Sequence, residues 1–197
     1  MNNAARVDGD DYPKFGSIPR LFRRVIITEK LDGTNALVEV QEDGTVRAGS
    51  RTRWITPGKT TDNYGFAAWV DENKDELRKL GVGRHYGEWW GKGIQCGYGL
   101  DERRFSLFNV SRWNFNFAKP EHIPVAIPAC CHVAPVLGYR DTFHTSDAHA
   151  ALEYLKEWGS VAAPGFMKPE GIVVFHENSG HLYKVTLDGN DGHKSAA

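Results

Sequence analysis

The pattern of apolar and polar positions changes period several times along the chain. After a polar start carrying Pro13 and Pro19, "RRVIITEK" alternates as a strand that ends near Lys30. "ALVEV" and "TVRAGS" are two more strands, joined across "QEDG", where Asp43-Gly44 is a strong hairpin signal. From Phe66 the period turns helical: Phe66, Trp69, Val70, Leu77 and Leu80 share one stripe, and Gly81 is placed to cap the C-terminus. "RHYGEWWG" and "RRFSLFNV" return to strand character on either side of the glycine-rich "GKGIQCGYGLDE". The proline-spotted segment from Trp113 to Thr145 predicts no clear element. A second helix follows, with Ser146 as its cap and Ala148, Ala151, Leu152, Leu155 and Trp158 as its buried face. "GIVVFHE" and "HLYKVTL" then make a last hairpin through Asn178-Ser179-Gly180.

Strands joined mostly by short turns, with two intervening helices, predict an α+β fold with antiparallel sheets. One domain is expected over 1–197, with 1–20 as a polar arm and 189–197 as a tail.

The two hairpins allow geometry to be worked out from register. If Glu177 pairs with His181 across a three-residue turn, Val174 faces Lys184 and Ile172 faces Thr186. Directly paired residues share a sheet face, as do residues two apart. Glu170 and Lys184 then point to the same side, and a one-residue slip separates them. An ordinary cross-strand ion pair on a solvated face satisfies the same pattern. In the first hairpin, pairing across "EDG" brings Arg51 close to Asn35, delivering a planar guanidinium suited to phosphate or sugar oxygens.

Composition narrows the classes. With 41% hydrophobic and 25% charged residues the chain reads as an ordinary soluble globular protein. A formal net charge of -1 excludes bulk attraction to nucleic acid, so such binding needs a local basic strip. Cys96, Cys130 and Cys131 make no C-x-x-C pair and are expected to be reduced, buried thiols. The histidines show no metal-ligand spacing. Neither a signal peptide nor an apolar run of about 18 residues is present, so a cytoplasmic protein without membrane contact is expected.

One tetrapeptide stays open on its own. Lys30-Leu31-Asp32-Gly33, at the seam between two strands, fits a surface turn as well as a nucleophile loop. Other segments add to it. "EKLDGTN" resembles the signature of the covalent nucleotidyltransferase superfamily of ATP-dependent polynucleotide ligases and mRNA capping enzymes. "YGEWWG", "FSLFNV", "EGIVV" and "LYKV" resemble its later motifs, in the family's order from Thr28 to Val185. Asn35 after Gly33-Thr34, and the Gly-Glu-aromatic-aromatic-Gly run, make the chain most similar to phage-type nick-sealing RNA ligases and RNA-editing ligases.

The resemblance implies a nucleotidyltransferase (ATP-grasp-like adenylation) domain, two antiparallel sheets flanked by helices with the active-site cleft between them. It implies an ATP-dependent RNA ligase in which Lys30 attacks the α-phosphate of ATP to form lysyl-AMP. The AMP then passes to an RNA 5′-phosphate, which is joined to a 3′-OH. This chemistry demands an unprotonated amine held for in-line attack. Glu29, Asp32, Gly33, Asn35, Arg51, Glu88, Phe108 and Lys184 are implied in nucleotide binding, with Phe108 stacking on adenine. Glu170 and Glu88 are the implied ligands of Mg²⁺ or Mn²⁺. Lys184 joins Lys30 and Glu170 as catalytic, neutralising the α-phosphate in the transition state.

Two features depart from the family's pattern. Its fifth motif carries a Lys-x-Lys pair, whereas this chain reads Lys184-Val185-Thr186, leaving Lys168 or Lys194 as substitute cations. The expected domain plan also lacks a C-terminal OB-fold or other accessory domain after the fifth motif. Phosphate contacts then fall to Arg20, Arg23, Arg24, Arg51, Arg53, Lys59 and Lys92, or to an accessory protein. The alternatives are a minimal DNA ligase or general end-joining enzyme, and a catalytically weak nucleotide- or RNA-end-binding module.

Overall fold

The protein is described from a computed structural model that covers residues 16–113 and 126–189. Lys194, most of the tail and most of the N-terminal arm lie outside the described residues, as does part of the segment that predicted no element.

The strands form two sheets. β1 (Val25–Lys30), β8 (Val136–Arg140), β9 (Gly171–His176) and β10 (His181–Thr186) make a four-stranded antiparallel sheet in the order β10-β9-β1-β8. The six-stranded sheet runs β4-β3-β2-β5-β6-β7, from β2 (Thr34–Val40), β3 (Val46–Gly49), β4 (Trp54–Ile55), β5 (Gly83–Gly91), β6 (Arg103–Leu107) and β7 (Cys131–Val133). All its pairs are antiparallel except β6–β7. The α+β architecture read from the sequence is therefore the one observed.

Each sheet packs its apolar face on helices. α1 (Phe66–Glu72) and α2 (Lys74–Leu77), followed by a 3-10 turn to Leu80, cover the six-stranded sheet. Phe66, Val70, Leu77 and Leu80 join Val38, Trp89 and Phe105 in that core. The single helix expected here is broken at Asn73, whose side chain and backbone both donate to the Trp69 carbonyl. Asp62 holds the helix start by accepting from the N–H groups of Ala67 and Ala68. Gly81 ends the segment at φ 81°, as the sequence predicts.

α3 (Val110–Trp113) is a single turn after β6, and α4 (Thr145–Trp158) covers the four-stranded sheet with Ala151, Leu152 and Leu155. His144, not Ser146, stands at its N-cap, and its N–H donates to Asp147. Trp158 is 64% exposed, because the helix ends beneath it at Gly159. Cys131 is buried and Cys130 half-buried, but Cys96 is exposed, contrary to expectation; all three thiols are free.

The opposite faces of the two sheets look toward each other. They are joined at one end by a small core of Leu31, Trp90, Tyr98 and Ala163, and at another by Ile26, Val110 and Ala134. The space bounded by those seams holds the polar residues of interest. Among the described residues no helix is long and apolar enough to cross a membrane.

Candidate active site

Register decides which side chains reach the cleft. Lys30 is the last residue of β1 and pairs with Gly171, while Thr28 pairs with Val173. Across the hairpin, Val173 pairs with Lys184 and Gly171 with Thr186. Lys30, Thr28, Lys184 and Thr186 therefore share one face, the one turned to the cleft.

This corrects the expected hairpin. The turn has four residues, 177–180, and His176 rather than Glu177 faces His181, so every pair is shifted by one. The Glu177 N–H instead donates to the Arg24 carbonyl, and Gly180 closes the turn at φ 69°. The slip sends Lys184 to Lys30's side instead of aligning it with Ile172 and Val174, which pack under α4.

Glu170 reaches the cleft by another route. It immediately precedes β9, whose first residue, Gly171, has φ 152°, a conformation that L side chains rarely adopt. A Cβ on Gly171 would lie 2.1 Å from the Val185 carbonyl oxygen. The break in alternation at this glycine lets the Glu170 carboxylate meet the Lys30 ammonium at 2.6 Å. Both side chains are largely buried.

Glu88 is the third member. It lies in β5 opposite Asn35 on one side and Ser106 on the other. Burial pushes its carboxyl up to about 7; Lys30 opposes that shift, and the Glu170 and Asp32 carboxylates reinforce it. Those influences place Lys30, Glu170, Asp32 and Glu88 around one small volume. The backbone of Gly33 opposes the rise as well. Gly33 lies so close to β5 that a Cβ would sit 2.4 Å from the Trp89 carbonyl oxygen and 2.7 Å from Trp90 Cβ.

The lysine loop is tied down from two sides. The Asp32 N–H donates to the Tyr98 hydroxyl at 2.8 Å. Tyr98 is buried against Trp90 and Phe166. It holds φ 54°, and its phenol is pushed well up by burial. Sequence reasoning missed this residue, although its place between two glycines, "GYG", marks a chain forced into an unusual turn.

Not every predicted residue comes to the cleft. The Glu29 side chain lies on the opposite face of β1 from Lys30, 2% exposed. Its carboxylate accepts from the Ser160 hydroxyl at 2.5 Å and from the N–H groups of Val161 and Ala162 at 2.9 and 3.0 Å. Burial raises its pKa and those hydrogen bonds oppose the rise. It anchors the loop that leads to Glu170. Arg51 sits in the exposed turn closed by the Ser50 N–H on the Arg53 carbonyl. The β2–β3 ladder stops at Leu37–Gly49, so no backbone pairing carries Arg51 to Asn35.

Phe108 extends β6 by one residue, its N–H donating to the Tyr86 carbonyl. It faces the cleft side of the sheet, 40% exposed and outside the core clusters. An aromatic there is open to stacking. Asn35, Lys168 and Lys184 are exposed, and Thr186, where the family pattern has its second lysine, is buried.

As a metal site the cluster offers two carboxylates, Glu88 and Glu170. Among the described residues no group of three or more His, Cys, Asp or Glu is arranged to hold an ion. Two carboxylates completed by phosphate oxygens and water suit Mg²⁺ or Mn²⁺, which seldom take an all-protein cage.

A family model described as RNA ligase matches residues 23–186. No curated protein sequence matches the chain significantly. Solved structures of the Naegleria gruberi RNA ligase share the fold. A mutant with ATP and Mn aligns with a TM-score of 0.57 at 19% identity, over 84% of this chain and 50% of that one. A second mutant with ATP and Mn gives 0.57 at 20% identity, over 88% and 53%. The enzyme with PPi gives 0.55 at 19% identity, over 88% and 52%. The chain thus spans about half the length of the solved ligases it matches.

Proposed function

Because the chain belongs to the RNA ligase family, we propose that it joins RNA ends at the expense of ATP through a covalent lysyl-AMP on Lys30. The observation that carries this reading is the convergence of Lys30, Glu170 and Glu88 in one cleft, with the lysine 2.6 Å from a carboxylate. A surface turn does not bury a lysine between two acids.

In the proposed first step, the Lys30 ammonium gives its proton to the Glu170 carboxylate. Its amine attacks the α-phosphorus of ATP; an N–P bond forms, and the bond to the bridging oxygen of pyrophosphate breaks. In the second step an oxygen of an RNA 5′-phosphate attacks the same phosphorus, the N–P bond breaks, and Lys30 leaves as the amine, taking back the proton held on Glu170. In the third, a 3′-hydroxyl attacks the activated 5′-phosphate, its proton passes to solvent, the phosphoanhydride bond breaks, and AMP departs as its phosphate anion. Phe108 offers a stacking face for the adenine, and Lys184 adds positive charge on the cleft side. A divalent cation held by Glu88 and Glu170 would supply further neutralisation of phosphate charge; mutants of the Naegleria ligase were solved with ATP and Mn.

The experiment is end joining of 5′-labelled RNA with ATP and Mg²⁺ or Mn²⁺, beside an all-DNA counterpart. A longer labelled product from RNA, absent with Lys30→Ala, supports the reading. Joining of DNA alone contradicts the RNA assignment.

A further inference from the structure

The cleft face of the six-stranded sheet carries a second feature, one row outward from the Asn35–Glu88–Ser106 row. Reading straight across the ladders, Phe108 lies beside Tyr86, Tyr86 pairs with Leu37, Leu37 with Gly49, and Gly49 with Trp54. All five positions fall on one face. They span five strands, about 19 Å at the usual strand spacing. The three aromatic side chains are open to solvent, 40% for Phe108, 56% for Tyr86 and 40% for Trp54.

The glycine in the middle makes the row continuous. A Cβ on Gly49 would meet the Leu37 side chain at 3.2 Å and the Trp54 ring at 3.4 Å. Without one, the indole and the leucine close over β3. The Arg47 guanidinium lies over the Trp54 ring, 4.0 Å from its centroid, adding a second planar, cationic surface. Glu39, the acid beside it, is shared between Arg47 and Arg84. Exposed Arg51 and Arg53 stand in the turn just before Trp54. The chain as a whole has a net charge of -1, so this concentration of arginine is local.

We propose that the outer part of this row, Tyr86 and Trp54, is a stacking platform for the unpaired nucleotides of a single-stranded RNA end, beside the Phe108 face given to adenine and with the arginines at its outer edge contacting phosphates. Aromatic faces interleaved with cations are what a strand without base pairs can use, because every base has a π-face whatever its sequence. The occupant follows from continuity: Tyr86 stands next to Phe108 in the row, about 7 Å along its strand from Glu88, beside which the RNA end must react. The inference rests on the ligase reading and narrows it, from RNA ends in general to ends with unpaired bases.

The test is fluorescence anisotropy of a short, 5′-phosphorylated, 3′-fluorescein-labelled single-stranded RNA against the full chain. Trp54→Ala and Tyr86→Ala, on separate strands, are each expected to weaken binding about 5- to 100-fold. Trp54→Phe, which keeps an aromatic face, is expected to bind within a few-fold of wild type, and blunt duplex RNA is expected to compete poorly. Unchanged affinity in a folded alanine variant overturns the platform, as does equal competition by the duplex. Covalent AMP labelling of the wild type, run in parallel, separates the two readings. Label with unaltered RNA affinity in the variants removes the platform alone. No label with weakened affinity removes the ligase reading and keeps the platform.

Discussion

Lys30 and Glu170 stand 140 positions apart in the chain and meet in an ion pair of 2.6 Å, both side chains largely buried. The pair exists because β1 lies against β9 and because Gly171, the first residue of that strand, turns the chain there. Glu170→Gln keeps the shape and removes the charge. Formation of the Lys30 adduct is expected to slow on the order of 100-fold, the usual scale for losing a positioned acid–base group. Single-turnover labelling with ATP measures it.

Glu88 gives a stability prediction with a definite sign. Burial raises its carboxyl from the ordinary 4.5 to about 7, so the native state holds a proton there that the unfolded chain gives up. Stability from this group is full below pH 4.5 and is lost as pH rises through about 7. In metal-free, ATP-free protein, Glu88→Gln should therefore be more stable than wild type at pH 8, by up to about 3 kcal/mol. The difference should shrink toward pH 4.5. Urea unfolding at the two pH values checks this, and a gap that widens on acidification contradicts it.

Gly33→Ala tests the close approach of the lysine loop to β5. The added methyl would fall 2.4 Å from the Trp89 carbonyl oxygen and 3.0 Å from Glu88 Cγ. The backbone must shift, costing about 1–3 kcal/mol and moving the lysine loop away from Glu88. Loss of both adduct formation and urea stability is the expected outcome.

Glu29→Ala strands the Ser160 hydroxyl and the N–H groups of Val161 and Ala162. A destabilisation of about 2–4 kcal/mol is expected from the unpaired buried donors. Hydrogen exchange at Val161 and Ala162 should rise with it, whereas a residue acting only on bound nucleotide would leave both measurements unmoved.

Much of this was legible in the sequence because alternation and motif order are local or linear properties. The antiparallel sheets, the lysine at a strand end and the cleft placement of Glu88 and Phe108 follow from them. The last hairpin was not legible to the residue, since Asn178-Ser179-Gly180 allows turns of three or four residues and each reverses the face of Lys184. The roles of Tyr98 and Glu29 depend on contacts 66 and 131 positions distant, which no local pattern encodes. Trp158 looked buried by period, but period does not say where a helix runs out of sheet to cover it. The missing second lysine of the fifth motif resolves into a buried Thr186 in register with Gly171, so the extra charge is not supplied from that position.

The most direct measurement is covalent labelling of the protein by α-³²P-ATP with Mg²⁺ or Mn²⁺, followed on a denaturing gel. Wild type is expected to carry label that pyrophosphate removes, and Lys30→Ala to carry none. Label that persists in Lys30→Ala, or wild type that takes none between pH about 6 and 9, contradicts Lys30 as the nucleophile.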